Sequence, residues 1–177
     1  LQSSYEISEE QLSEAVRSVV SVLENLAREG SGVVSVPMTF ESGRGLRSDL
    51  DVLREAFSRT EISPDHPTAP LDPLSVMERL SRSSFAITMR MHVAILAARV
   101  GVPSIVLGYS DKSFDFMKSL AMERFTFDIQ DIDPDTLEAR CCEMQANLPD
   151  IRNHVNDRIQ DMRAQQRRLV RAVLEQV

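Results

Sequence analysis

The sequence is poor in several things, and each shortage excludes something. It has no tryptophan, two tyrosines and two cysteines in 177 residues. The cysteines, Cys141 and Cys142, are adjacent in a stretch that reads as helix. A disulfide framework needs spaced cysteines, and zinc needs C-x₂₋₄-C spacing, so neither is expected; a redox role stays open. No metal is expected. Long hydrophobic runs are missing: the longest, Val93 to Ala98, falls far short of the ~20 residues of a membrane span. No charged segment followed by an apolar one opens the chain, so no signal peptide is expected in it. Positive charge is also short, with a net charge of -7. That argues against a general nucleic-acid binder and leaves room for a local cationic pocket. Lysine is scarcer still: of 20 basic residues, only Lys112 and Lys118 are not arginine. A GC-rich genome would produce that skew, as would a need for the planar fork of arginine.

What is present is ordinary for a folded domain: 42% hydrophobic and 27% charged residues, and a length that closes a core without staples. No repeat or low-complexity tract interrupts it. The expectation is one Rossmann-like domain over residues 1–177. The chain begins at Leu1 and not at Met, which suggests a fragment of something longer.

Residues 8–29 read as a helix, with a Ser8/Gln11 capping box and Gly30 and Gly32 beyond its end. Residues 33–38 read as a strand, 41–47 as a Gly/Ser/Arg loop, and Ser48 caps a helix to about Phe57. A short strand over 59–63 and a proline-rich loop over 63–73 follow. Pro73 suits a first helical turn, and that helix runs to about Ser81. Then come a strand over 84–89, a helix over 91–100 ended by Gly101, and an apolar strand over 103–107. A turn covers 108–112, a helix 113–120, a strand 125–129 and a helix 134–145. The last helix is the longest, 149–176. Strands alternating with helices predict an α/β domain with a doubly wound parallel sheet of five or six strands. Ligands of such sheets lie beyond the carboxyl ends of the strands.

The strand ending at Thr88-Met89 runs into Arg90-Met91-His92, at the start of the next helix. Unpaired amides and the positive dipole end make that turn an anion site. A helix start more often carries an acid, so Arg90 there makes sense if an anion completes it. The dipole disfavours a charged His92, which leaves a neutral imidazole or proton donor near neutral pH. The plainer readings are a structural histidine and a solvated arginine. The next strand ends at Leu107, so Tyr109 and Lys112 should sit beside that turn if the strands are neighbours. Tyr109 could stack or hydrogen-bond.

The stretch from Thr88 to Pro103, with its Arg90-x-His92 helix start and its Gly101-x-Pro103, followed by Tyr109-x-x-Lys112, resembles the polysaccharide pyruvyl transferase family. The distinctive match covers about a quarter of the chain. The resemblance implies one half of a two-domain, glycosyltransferase-B-like (GT-B) enzyme that moves pyruvate from phosphoenolpyruvate to a sugar as a cyclic ketal. The sugar belongs to a cell-envelope polysaccharide, such as an exopolysaccharide, or to its precursor. The chain looks like the C-terminal, donor-binding half, with Leu1 to Ser4 the end of its first strand and the loop after it. The N-terminal domain, which should supply most of the acceptor site, would then be absent, and the fragment alone inactive. On this reading Arg90, Met91, Tyr109 and Lys112 bind phosphoenolpyruvate, His92 is the catalytic acid, and no cofactor is needed. A cytoplasmic enzyme is implied.

Arg44 and Arg47 follow the strand that ends at Met38 and could face the same crevice, or solvent. Met38, Thr39 and Phe40 could form its wall. His66 and His154 read as exposed surface residues. On the last helix Ile151, Val155, Ile159, Met162, Leu169, Val173 and Val177 trace a seam interrupted by Gln166. That helix would span roughly 40 Å. It could cross to the missing domain, pair with a second copy as a homodimer, or bring six arginines (152, 158, 163, 167, 168, 171) to an anionic inner membrane face against Asp150, Asp157 and Asp161. Two other functions remain open: a nucleotide-sugar glycosyltransferase domain, and a non-catalytic assembly module.

Overall fold

A computed structural model of the chain describes residues 8–41 and 47–174. Seven α-helices and three strands follow one another in the described residues. These are α1 (Glu9–Arg28), α2 (Asp49–Phe57), α3 (Pro73–Ser81), β1 (Ala86–Thr88), α4 (Met91–Arg99), β2 (Ser104–Gly108), α5 (Asp111–Ser119), β3 (Thr126–Asp128), α6 (Pro134–Ala146) and α7 (Leu148–Leu174). The strands form one parallel sheet in the order β1-β2-β3.

β2 is the centre of the molecule. All five of its residues are buried, so helices cover both faces of the sheet. Pleating sends Ser104, Val106 and Gly108 to one face and Ile105 and Leu107 to the other. Ser104 lines an enclosed apolar void of about 10 Å³ with residues of α4, α5 and α7, which identifies that face. The Ile105 and Leu107 side belongs to the same core as Val22 and Leu26 of α1 and Leu137 and Met144 of α6. In α4 the buried residues Ala94, Ala97 and Ala98 are small, so its axis can lie close to the sheet.

The sheet is smaller than the periodicity suggests. Among the described residues it has three strands, not five or six, and its order never reverses as a doubly wound sheet requires. The 33–38 segment makes one parallel bridge, Val34 to Asp65, and 59–63 is not a strand. Pro37 and Pro67 hold the next donor positions of that ladder and have no N–H to extend it. The Ser8/Gln11 capping box is present, with bonds of 3.1 and 3.0 Å. The end of α7 foreseen at Gln176 lies outside the described residues, as do Leu1 to Ser4, Arg44 and Val177.

α7 ties the rest together at its first half. Ile151 and Val155 are buried, and Ile159 and Met162 pack against the same core. Its polar side chains close other helices. Arg158 donates to the Ser119 carbonyl at 2.6 Å, and His154 Nε2 lies 2.8 Å from the Leu120 carbonyl, both at the end of α5. Arg152 donates to the Ser83 carbonyl at 2.7 Å, just past α3. Basic groups at helix carboxyl ends also meet a favourable dipole. From Arg163 onward every described residue is exposed, including Leu169, Val173 and Leu174. No helix in the described residues is long and apolar enough to cross a membrane.

Candidate active site at the strand ends

Parallel pairing of β1 with β2 sets Thr88 opposite Val106, so the turns that leave the two strands are neighbours. Arg90 is the N-cap residue of α4, and Met91 and His92 are its first two residues. Thr88 fixes the approach: its Oγ1 accepts the Arg90 N–H at 2.9 Å. Ser110 is the N-cap of α5, so Lys112 lies in the first turn of that helix and not in the loop before it. Tyr109 immediately precedes the cap. The structure thus brings Arg90, Met91 and His92 to one side of a shared edge, and Tyr109 and Lys112 to the other. Arg90, His92 and Lys112 are exposed, and Met91 and Tyr109 are half-buried.

The two helix starts are chemically alike. α1, α2, α3 and α6 each carry a side-chain cap, from Ser8, Ser48, Asp72 and Asp133. The caps of α4 and α5 are an arginine and a serine that make no side-chain cap bond. The first amides of α4 and α5 therefore point at the strand edge without an internal acceptor among the described residues. Free amides and like-oriented dipoles, with a guanidinium and an ammonium beside them, are groups that favour negative charge at this edge.

One residue at the edge was missed by sequence reasoning. The Arg90 guanidinium pairs with Asp49, the first residue of α2, through Nη2 to Oδ1 and through Nε to Oδ2 at 3.2 Å. Asp49 Oδ2 also accepts the Met38 N–H at 3.0 Å, and Thr39 Oγ1 accepts the Asp49 N–H at 2.8 Å. Met38 and Thr39 therefore reach the site through Asp49. The Asp49 hydrogen bond, against the opposing pull of burial, raises the Arg90 pKa above its ordinary value, with a smaller contribution from nearby Tyr109. The side chains are 43% and 17% exposed, so the pair fixes geometry more than it adds stability. The available signal was an acid directly after a capping serine, which is also what any helix start shows.

Other expectations moved. Arg47 is exposed and pairs with Glu55 of α2. His66 is not an exposed surface residue. Its Nδ1 lies 2.7 Å from Ser35 Oγ, and its ring rests 6.4 Å from that of Phe57. Burial first, then Arg54 and Arg79, lower its pKa, with Asp65 opposing. His154 is exposed as expected, but it is engaged at the end of α5.

No curated protein and no solved structure matches the chain. A family model described as polysaccharide pyruvyl transferase matches residues 15–111. That stretch runs from α1 into the first residue of α5. It contains Asp49, Arg90, His92 and Tyr109, and ends one residue before Lys112. It spans more than half of the sequence, and with it the chain belongs to the polysaccharide pyruvyl transferase family.

Proposed function

We propose that the β1–β2 edge binds phosphoenolpyruvate and that the protein acts in transfer of its pyruvyl group to a sugar of a cell-envelope polysaccharide or its precursor. One observation carries the reading. Two helix starts without side-chain caps, one bearing Arg90 and His92 and the other Lys112, lie side by side in a member of this family. Phosphoenolpyruvate carries a carboxylate and a phosphate ester on one carbon, and two adjacent anion receptors fit that shape. Arg90 takes one group through its planar fork. The Met91 and His92 amides take a further oxygen, and Lys112 holds the phosphate as a point charge. Tyr109 donates a hydrogen bond beside them.

The chemistry is addition followed by substitution. A proton goes to the methylene carbon, which becomes a methyl group, and the neighbouring carbon turns electrophilic. One sugar hydroxyl adds there, a second displaces phosphate, and both hydroxyl protons are lost. His92 is exposed and has no hydrogen-bond partner among the described residues, so its ring is available as the acid. In this reading a second, N-terminal domain supplies most of the acceptor-sugar site, and the chain is the donor-binding half of a GT-B-like enzyme.

The test is a transfer assay on the full-length protein that measures ketal-linked pyruvate on the acceptor. Removing a general acid costs about 10²- to 10⁴-fold in rate. His92→Ala is expected to lose turnover on that scale while still binding donor, and Arg90→Ala to weaken phosphoenolpyruvate binding in calorimetry. Wild-type transfer by His92→Ala removes the acid assignment. Unchanged affinity of Arg90→Ala removes the clamp.

A further inference from the structure

Asp49 sits where an anion receptor should not need an acid. A carboxylate against the guanidinium neutralises it, and pairing alone would weaken attraction for an anionic donor. The geometry suggests another purpose. A guanidinium has five N–H groups in one plane. Asp49 uses the edge made by Nε and Nη2. The rest of the guanidinium, beside the Tyr109 hydroxyl, stays partly open to solvent on a side chain that is 43% exposed.

Asp49 is itself held from three directions. Its amide donates to Thr39 Oγ1 at 2.8 Å, its carboxylate accepts from the Met38 amide at 3.0 Å, and it opens α2 where the dipole favours negative charge. Its position is independent of Arg90 in sequence, 41 residues away. A fixed acid gripping one edge of a long side chain removes rotamer freedom that binding would otherwise have to remove.

We propose that Asp49 is a positioning residue for the anion site, holding Arg90 side-on so that its free end meets a carboxylate or phosphate oxygen of the ligand. This rests on the donor-binding reading above. Asp49 does not touch the ligand. The net attraction then comes from the helix starts and Lys112, while the Asp49–Arg90 pair supplies direction.

The experiment is calorimetry on the full chain with two probes, phosphoenolpyruvate and inorganic phosphate, for the wild type, Asp49→Asn and Asp49→Ala. Asn keeps an acceptor for the Met38 amide and one Arg90 N–H, so it guards against a fold defect in the Ala variant. Melting curves confirm that each variant is folded at the titration temperature. The Ala variant is expected to bind about tenfold more weakly, the scale on which loss of an orienting partner weakens metal sites. The Asn variant should fall between. The ¹⁵N signal of the Arg90 Nε–H, identified by its loss in Arg90→Lys, should be slow to exchange in the wild type and fast in Asp49→Ala. A purely structural Asp49 would shift melting without moving affinity. Equal affinity in folded variants overturns the proposal. Tighter binding in Asp49→Ala also overturns it, because Asp49 would then be a competitor for the fork. If the wild type binds phosphate but not phosphoenolpyruvate, the donor reading falls, and the phosphate series alone decides the role of Asp49. If it binds neither, both fall.

Discussion

Gly101 joins the two elements that carry the site, and replacing it with alanine should cost about 1–2 kcal/mol. The residue follows the Val100 cap of α4 with φ +74°. Its amide donates to Ala98 at 3.1 Å, and the next amide, of Val102, donates to Ala97 at 2.9 Å. Those are the two bonds of a Schellman ending, which needs a left-handed residue at this place. An L side chain in that conformation costs roughly 1–2 kcal/mol. A less flexible unfolded chain returns about 0.4–1 kcal/mol to the variant. A second penalty is local. The new Cβ would lie 2.8 Å from Asn156 Oδ1 and 3.2 Å from its Nδ2, so the α7 side chain must swing away. Together these leave a net loss near the upper part of the intrinsic range. At about 2–4 °C per kcal/mol for a chain of this size, Tm should fall by roughly 2–8 °C. Differential scanning calorimetry measures it. Gly101→Ala combined with Asn156→Ala removes the contact but not the backbone strain, and should recover part of the loss. An unchanged Tm in the single variant would refute the conformational argument. A double variant no more stable than the single one would refute the contact.

Two further outcomes follow from titration. His66 holds its proton less tightly when folded than when unfolded, because burial and then Arg54 and Arg79 lower its pKa. Its contribution to stability is therefore fully present above the unfolded value of about 6.5 and is lost as pH falls through the folded one. Urea midpoints should drop between pH 8 and pH 5, and drop less in His66→Gln; an equal decline in both would contradict the account. Burial pushes the Cys141 thiol up to about 12, with Cys142 and Glu138 adding to it, while Cys142 is exposed. Iodoacetamide at pH 8 should modify Cys142 in the folded chain and reach Cys141 only on unfolding, as read by peptide mass spectrometry; equal labelling of both would sink the assignment.

The helices were legible because their signals are local. Ser8 and Gln11 lie three residues apart, Pro73 opens its own helix, and the alternation around β2 is visible in one run of apolar residues. Strand count was not legible. An apolar segment such as 33–38 reads the same whether it pairs along its length or, as here, through Val34 alone. The placement of Arg90 and His92 at a helix start after a strand could be read from Thr88 to Met91. Their relation to Asp49 could not, since nothing local links a residue at the start of α2 to one that caps α4. The same distance hid the bond of His66 to Ser35 and that of His154 to the end of α5. Both histidines looked idle because their partners lie more than thirty positions away.

The uneven covering of α7 has a consequence for how its end exists at all. A helical segment of the length of Arg163–Leu174 is marginal in water by itself, because starting a helix is costly while extending one is cheap. Here the start is made by Ile151 and Val155 in the core, and the exposed half is only an extension of it. The order of the tip is thus inherited along the backbone from contacts several turns away. Loosening Val155 would unwind residues that touch nothing, with no change made in the tip itself.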